Sequence, residues 1–300
     1  MTHPRYRVPV APSLATVLAE NDLAMDSHSW AASCVDTARA SLRTAGAALV
    51  HSLADRLAVD GWVIAALPAE LPEELLRRVA AGILAAVGTP FFSIDGGHGL
   101  WLEGLSRPER DPNSFGGFAA QALHIDAPNV TAPPDYTSLL MLRPDPAGGG
   151  HSVLADLRAA AVLLADDDRD VLRQSVFFEG RAEQLHGVGE PLLPFPVIDN
   201  GLPGNTWIRW AGKLLTDERN IGYRPALKRF AALLEGTAQR VRLRRGNLLI
   251  ADQRRVAHGR TALGRQDDIA PSARRLLCQA KARFDAAAPV HQVLDLRSAA

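Results

Sequence analysis

"LHIDAPNVTAPPDYTSLLMLRPDPAGGGHSVLADLRAA", residues 123–160, alternates short apolar runs with turns rich in proline, glycine and asparagine. The runs at 135–143 and 151–157 have the length and composition of β-strands, and "QALHID" precedes them as a third. Similar short runs follow at 174–181, 205–211, 247–252 and 274–284, with helical patterns near 158–173 and 224–240. Many short strands separated by turns predict a β-sandwich or barrel in which strands distant in sequence meet.

The N-terminal part, residues 1–90, has mainly helical patterns. Residues 38–62 space their apolar side chains at helical intervals and end in an Asp-Gly turn signal, and 71–88 repeat the pattern with a glycine at the end. The apolar run "WVIAAL" (62–67) between them predicts a buried strand.

The segment 91–118 is rich in Gly, Pro, Asn and Ser with isolated aromatic residues. A loop of this length in a compact domain is usually functional or disordered. Because it leads into the strand that carries His124, we interpret it as a flap over a site, with a plain surface loop as the alternative. No repeat or low-complexity linker divides the chain, so we expect one domain over 1–300, with its β-rich core at 119–285 and helical insertions within that core.

Composition narrows the class of partner. The chain has 300 residues, 47% of them hydrophobic, with 33 basic and 33 acidic residues, so a nucleic acid or an anionic membrane is not the expected partner and a small molecule is. Its two cysteines, Cys34 and Cys278, form no disulfide framework, and no signal-peptide or membrane-spanning run is present. These features predict a cytoplasmic protein, and the sequence predicts no oligomeric state.

His124 and Asp126 suggest a metal site, although roughly one His-x-Asp/Glu triplet is expected by chance in such a chain. Residues i and i+2 of a strand share a face, so both side chains would point inward while Ile125 packs on the other side. His258 follows a strand far along the chain and offers a third ligand. Two histidines and one carboxylate form the facial set that leaves positions open on Fe(II), whereas zinc more often takes a third His or Cys.

Arg275 suggests the cosubstrate. It begins a strand-like run 17 residues after His258, and Leu277 and Gln279 would share its face. The distal carboxylate of 2-oxoglutarate, the commonest electron source of such oxygenases, suits a planar guanidinium with a permanent charge. A surface charge is the alternative interpretation of a single arginine.

These motifs together resemble those of a known family. Residues 123–160, "RGNLLIADQRRVAHGRTAL" (245–263) and "RRLLCQ" (274–279), with a looser match at 60–75, resemble the iron- and 2-oxoglutarate-dependent dioxygenases of the taurine dioxygenase and clavaminate synthase-like group. The resemblance implies an α+β fold with a mainly β core, a double-stranded β-helix (a cupin-like jelly roll) with flanking helices.

The resemblance also implies roles for individual residues. It makes His124, Asp126 and His258 the iron ligands and Arg275 the partner of the oxoglutarate C5 carboxylate. Ser152 follows three residues, "GGH", at the position of a hydroxyl that also binds the cosubstrate. Gln279 replaces a second arginine of many relatives and is expected on the cosubstrate side. His151 and the long interval between His258 and Arg275, which suggests an inserted loop at 264–273, depart from the family pattern.

The implied reaction uses Fe(II), 2-oxoglutarate and O2 to hydroxylate an unactivated C–H bond of a small molecule. Because Asp126 supplies the carboxylate that halogenating relatives lack, halogenation is disfavoured. We expect an amino acid or an amino-acid-derived natural-product intermediate as substrate, contacted by Arg209, Trp101 and Ser114, although Arg209 between two tryptophans also fits structural packing. Desaturation or ring closure by the same cofactors, a zinc-dependent hydrolase and a noncatalytic jelly-roll binding protein are the alternatives.

Overall fold

The computed structural model describes residues 6–20, 32–91, 100–107, 111–112, 114–180, 194–201, 206–266 and 268–298. Within these ranges the strands are β1 (Arg7–Pro9), β2 (Trp62–Ala66), β3 (Thr89–Phe91), β4 (Leu102–Leu105), β5 (Gln121–His124), β6 (Tyr136–Arg143), β7 (Ser152–Asp156), β8 (Ile198–Asp199), β9 (Trp207–Ile208), β10 (Gln239–Val241), β11 (Asn247–Asp252), β12 (Val256–Arg260) and β13 (Leu276–Arg283). The α-helices are α1 (Pro12–Glu20), α2 (Ala32–Thr44), α3 (Ala47–Asp60), α4 (Glu73–Val87), α5 (Leu157–Val162), α6 (Asp166–Leu172), α7 (Arg224–Gly236) and α8 (Pro289–Ser298).

Two sheets form the centre of the fold. The larger has the order β1-β2-β11-β6-β13-β3, with β4 also paired to β13, and the smaller has the order β10-β7-β12-β5. Apart from the parallel pair β1–β2, these pairings are antiparallel, and most join strands distant in sequence. This arrangement confirms the double-stranded β-helix with flanking helices that the sequence implied.

The side chains of the larger sheet are buried on both faces. Along β11, Leu248 and Ile250 belong to one hydrophobic cluster and Leu249 and Ala251 to another. The first cluster lies between the sheet and the N-terminal helices, and the second includes residues of both sheets. Because successive residues of a strand point to opposite faces, a strand covered on both sides is apolar throughout. This explains why the strand signals in the sequence were continuous apolar runs.

The predicted N-terminal helix at 38–62 is two helices, α2 and α3. They meet at Gly46, where the chain turns. A Cβ at this position would lie 3.0 Å from the backbone of Leu42, so a side chain there would be crowded. The strand at 62–67 and the helix at 71–88 are present as β2 and α4. No helix in the described part of the chain combines the length and apolar character that a membrane span requires.

The later strand predictions succeeded unevenly. The runs at 135–143, 151–157, 247–252 and 274–284 are strands, as β6, β7, β11 and β13. In its described part, the run at 174–181 forms an isolated bridge between Phe177 and Phe195. The run at 205–211 contributes the two-residue β9 and an isolated bridge between Ala211 and His124.

One part of the predicted flap differs from expectation. Leu102–Leu105 is strand β4, paired with β13, so this part of the predicted flap belongs to the larger sheet because its backbone completes that sheet's edge. Residues 92–99, 108–110 and 113 of the predicted flap lie outside the described residues. No disulfide joins Cys34 and Cys278, and the cytoplasmic location stays a prediction.

Candidate active site

The two histidines of the predicted metal site are neighbours across the smaller sheet. His258 on β12 pairs directly with His124 at the end of β5, and their ring centroids are 4.4 Å apart. Gly259 permits this approach, because a Cβ there would lie 2.7 Å from the carbonyl oxygen of Gln121 on β5. His258 was expected after a strand, and the structure corrects this by placing it within β12.

Asp126 completes the group just beyond the end of β5. Ile125 is fully buried on the opposite side, as the strand periodicity predicted, and Ala127 has a positive φ of 51°, a left-handed conformation that costs free energy in a non-glycine residue. The side-chain oxygen of Gln253 accepts a 2.6 Å hydrogen bond from the backbone N–H of Asp126. These restraints fix where the carboxylate points.

The ligand atoms of His124, Asp126 and His258 all lie within 4.8 Å of one another. His258 Nε2 is 3.8 Å from Asp126 Oδ1. His124 Nδ1 donates to the carbonyl oxygen of Ala122 at 2.8 Å, which leaves its Nε2 available as a ligand. Two imidazoles and one carboxylate converging from one side therefore fit a divalent metal with open coordination positions.

The protonation states of this group suit a metal. Burial would raise the pKa of Asp126, but the charges of Lys281 and of the two imidazoles outweigh burial and lower it to about 2. Burial, and secondarily the charge of His124, lower the pKa of His258 to about 3. At neutral pH the carboxylate is ionised and the His258 imidazole is neutral, so neither group has to lose a proton when a metal binds.

Gln279 holds the carboxylate ligand from the opposite sheet. Its Nε2 donates to both carboxylate oxygens of Asp126, at 3.3 and 3.1 Å, and to Thr137 Oγ1 at 3.1 Å. The family resemblance implied that Gln279 contacts the cosubstrate. It does line the same cavity, but its amide N–H groups are directed to Asp126 and Thr137.

We expect Gln279→Glu to weaken Fe(II) binding at pH 7 by about 10- to 100-fold, the usual cost of losing a partner of a metal ligand. The new carboxylate would replace a donor with a negative charge against Asp126 and so raise the pKa of that ligand. Gln279→Met, which removes the donor without adding charge, should have a smaller effect. Fe(II) titration of both variants measures these affinities. If Gln279→Glu and Gln279→Met bind Fe(II) with equal affinity, Gln279 does not act through the charge of Asp126.

The metal group opens into a cavity of about 110 Å³ between the two sheets. Its wall includes Ser152, Leu277, Arg260 and Arg275. Arg275 is only 1% exposed, and its Nε is buried without a hydrogen-bond partner in the described residues. Burial, then the charge of Arg260, lower the pKa of Arg275 to about 9. Two buried guanidinium groups therefore line the cavity, and no carboxylate among the described residues forms an ion pair with either of them.

A glycine-rich turn supports Arg275. Gly150 has a φ of +67°, and a Cβ there would lie 3.1 Å from Arg275 Nε and 2.5 Å from Leu263. The carboxylate of Asp145 ties this turn to the segment before Arg275, because it accepts hydrogen bonds from the backbone N–H groups of Gly149 and Gly264 at 3.0 and 2.8 Å. The segment 264–273, interpreted as an inserted loop, thus packs against the turn in its described part.

The three predicted substrate residues do not line this cavity in the described structure. Arg209 is 1% exposed, its Nη1 donates to the carbonyl oxygens of Pro128 and Val130, and its Nε lies 2.8 Å from Asp199 Oδ2. Arg209 therefore stabilises the loop that follows Asp126, which agrees with its alternative interpretation as a structural packing residue.

Trp101 is buried in the cluster beneath the N-terminal helices, not in a flap. The Ser114 hydroxyl donates to the carbonyl oxygen of Asp111, and the next residue, Phe115, does line the cavity. His151 is half-buried and donates its backbone N–H to Thr261 Oγ1. Neither Trp101 nor Ser114 lines the cavity, so the cavity does not support their predicted contacts with substrate. Ser114 is only a sequence neighbour of Phe115, which does line it.

Sequence reasoning missed Arg260 and Gln121 among the cavity residues. Arg260 had a usable signal, because it follows His258 by two residues and therefore shares its strand face. Gln121 lies three residues before His124 and had no comparable signal, since it reaches the cavity where the pairing of β5 with β12 shifts register.

Comparisons with known proteins identify a partial family match and similar folds. The model of the family "Taurine catabolism dioxygenase TauD, TfdA family" matches residues 34–179. A structure of asparagine oxygenase in complex with Fe(II), 2S,3S-3-hydroxyasparagine and succinate is similar, with a TM-score of 0.70, 23% identity and coverage of 93% of each chain. A structure of the non-heme iron oxygenase OrfP in complex with Fe, succinate and (3S)-hydroxy-L-Arg has a TM-score of 0.70 and 17% identity, covering 93% of this chain and 94% of OrfP.

OrfP in complex with Fe and alpha-ketoglutaric acid is also similar, with a TM-score of 0.67, 16% identity, and coverage of 93% of this chain and 94% of OrfP. No curated protein shows a significant sequence match. The solved structures establish the shared fold, and the family model supports the resemblance over residues 34–179.

Proposed function

We propose that this chain, an iron- and 2-oxoglutarate-dependent oxygenase of the TauD-like type, hydroxylates an unactivated C–H bond of an amino acid or an amino-acid-derived small molecule. The observation that carries the proposal is one cavity with a 2-His-1-carboxylate group and two buried arginines, Arg260 and Arg275. Fe(II) with 2-oxoglutarate supplies the chemistry: O2 is consumed, 2-oxoglutarate becomes succinate and CO2, and the substrate C–H becomes C–OH.

The residues of the chain bind and orient the reactants. His124, Asp126 and His258 would hold the iron from one side, and Arg275 with Ser152 would receive the distal carboxylate of 2-oxoglutarate. Leu139 and Leu277 form an apolar part of the wall and exclude water from the reacting groups. A zinc hydrolase has no need of two buried cations at the end of the cavity.

The amino-acid substrate is supported by the similar structures and by one acidic side chain. The asparagine oxygenase and OrfP structures contain hydroxylated asparagine and arginine, respectively. In this chain, Glu179 has an 11% exposed carboxylate that pairs only loosely with the exposed Lys213, whose Nζ is 4.0 Å away.

The position of Glu179 relative to the metal group follows from two contacts. Lys213 lies two residues after Ala211, which bridges to His124, and the Asn129 side chain donates to the backbone carbonyl oxygen of Glu179 at 3.0 Å. Burial raises the pKa of Glu179 above its ordinary value, and the nearby charges of Lys213 and His124 offset only part of this rise. Glu179 is not among the residues that line the described cavity, but a largely buried, loosely paired carboxylate within electrostatic reach of His124 is suited to binding the ammonium group of a substrate.

We expect Glu179→Gln to raise the KM for the amino substrate by about 10-fold or more, because a charge-assisted hydrogen bond contributes about 1.5–3 kcal/mol. Affinity for Fe(II) and 2-oxoglutarate should stay unchanged. Glu218→Gln is the matched control, since Glu218 is exposed and pairs with Arg224. An unchanged KM in Glu179→Gln would remove Glu179 from the substrate site.

Succinate release from 2-oxoglutarate, measured with a panel of amino acids and their derivatives under air, tests the function itself. A substrate should increase succinate formation and gain 16 Da, whereas desaturation or ring closure would give a product 2 Da lighter than the substrate. Turnover of substrate with no O2 or 2-oxoglutarate consumed would contradict the oxygenase proposal.

A further inference from the structure

Arg260 is a second buried cation in the cavity, separate from the arginine that the sequence motifs indicated. It lies on β12 two residues after His258, is 5% exposed and lines the same cavity as Arg275. Its Nη2 donates to the carbonyl oxygen of Ala119 at 2.6 Å, which fixes the orientation of the guanidinium. Its Nε is buried without a hydrogen-bond partner in the described part of the chain.

No carboxylate lies within ion-pair distance of Arg260 or Arg275 among the described residues. The acid whose charge acts on both arginines is Asp145. Its oxygens already accept hydrogen bonds from the backbone N–H groups of Ala147, Gly149 and Gly264 and from the Gln266 side chain. Asp145 thus contributes one negative charge, at a distance, to a region that holds two positive ones.

Two buried and uncompensated guanidinium groups are costly in the ligand-free protein. Removing a charge from water costs several kcal/mol unless a partner compensates for it, and like charges in one cavity also repel. Burial lowers the pKa of Arg260 to about 10, with Asp145 acting in the opposite direction. Such an arrangement is stable when an anionic ligand occupies the cavity, and two cations match a carboxylate better than one does.

We propose that Arg260 is a second cationic contact for the distal carboxylate of the 2-oxo acid, beside Arg275, and that the pair makes the cavity selective for dicarboxylic over monocarboxylic 2-oxo acids. This inference rests on the proposed function and deepens it. Arg260 is a specificity-determining residue, because the iron-chelating end of the 2-oxo acid is the same in both classes of ligand.

The test compares two ligands that differ in the distal carboxylate. Anaerobic wild-type protein and Arg260→Gln, each with Fe(II), are titrated with 2-oxoglutarate and with 2-oxopentanoate, and the visible charge-transfer band of the chelate reports binding. Arg260→Gln should weaken 2-oxoglutarate binding by about 10- to 100-fold, as expected for loss of one charge-assisted hydrogen bond. Affinity for 2-oxopentanoate should change by less than about threefold, because that ligand has no charge for Arg260 to bind.

Arg260→Lys should recover part of the preference, because it keeps the charge but not the planar fork. Arg240→Gln is the control: Arg240 is an exposed residue on β10 of the same sheet, and its loss should leave both affinities unchanged. Equal weakening of both ligands in Arg260→Gln would show a purely structural role. A raised substrate KM with an unchanged ligand preference would assign Arg260 to the substrate, and either result overturns the inference.

Failure of this inference can be distinguished from failure of the proposed function. If wild-type protein binds Fe(II) but forms no chelate with 2-oxoglutarate, the proposed function is wrong and the inference falls with it. If the wild-type chelate forms and the preference for 2-oxoglutarate survives in Arg260→Gln, only the role of Arg260 is wrong.

Discussion

His124→Ala protein should bind Fe(II) more than about a hundredfold more weakly than wild type and should show no charge-transfer band with 2-oxoglutarate. The reason is that the three ligand atoms already lie within 4.8 Å of one another, so removal of one leaves two donors that cannot hold the metal on one side. Loss of an outer partner alone typically costs 10- to 100-fold in metal affinity, and loss of a ligand should cost more. Anaerobic titration with Fe(II) and then 2-oxoglutarate is the measurement.

His51→Ala is the control for this experiment, because His51 is an exposed residue on α3 far along the chain from the ligand group. It should retain the Fe(II) affinity and the band of wild type. If the band also persists in His124→Ala, the metal is held elsewhere. If wild type binds Fe(II) but gives no band, the cosubstrate roles of Arg275 and Ser152 are wrong instead.

Arg275→Met should have opposite effects on ligand binding and on stability. Affinity for 2-oxoglutarate should fall by a factor of about 30 to several thousand, corresponding to about 2–5 kcal/mol for loss of a buried charged contact. The ligand-free protein should at the same time unfold at a temperature at least about 2 °C higher, because the substitution removes a buried cation without an ion-pair partner and keeps an apolar side chain of similar length. Titration of the chelate band and a thermal unfolding curve measure the two effects.

The neighbouring Arg274 provides the control. Its side chain donates to the carbonyl oxygen of Ile269 and does not line the cavity, so Arg274→Met should leave the affinity for 2-oxoglutarate unchanged. A lower unfolding temperature in Arg275→Met, together with normal 2-oxoglutarate binding, would identify Arg275 as a structural residue. The opposite signs expected for binding and stability are what separate a ligand-binding arginine from a packing one.

The sequence determined the parts of this protein that depend on local periodicity. His124 and Asp126 share a face and Ile125 is buried on the other, because side chains alternate along a strand whatever its tertiary partners are. The same rule placed Leu277 and Gln279 with Arg275 on the cavity side of β13. The fold class followed from short strands and from motifs whose order resembles that of a known family.

Contacts between distant parts of the chain decided the rest. Arg209, flanked by tryptophans, looked like a substrate residue, but the carbonyl groups that it binds lie 79 and 81 residues away. Gln279 was assigned to the cosubstrate, yet its donors reach Asp126, 153 residues distant. No local pattern encodes which buried polar group will satisfy which donor, because that depends on how the two sheets face each other.

Local patterns therefore identified His124, Asp126 and His258 as possible metal ligands, and placed the first two on one face. The pairing of His258 with His124, the hydrogen bonds from Gln279 to Asp126, and the presence of Arg260 and Arg275 in one cavity became evident from the packed structure. Strand periodicity acts over two residues, whereas the pairing of strands and the burial of charge depend on packing across the whole sandwich.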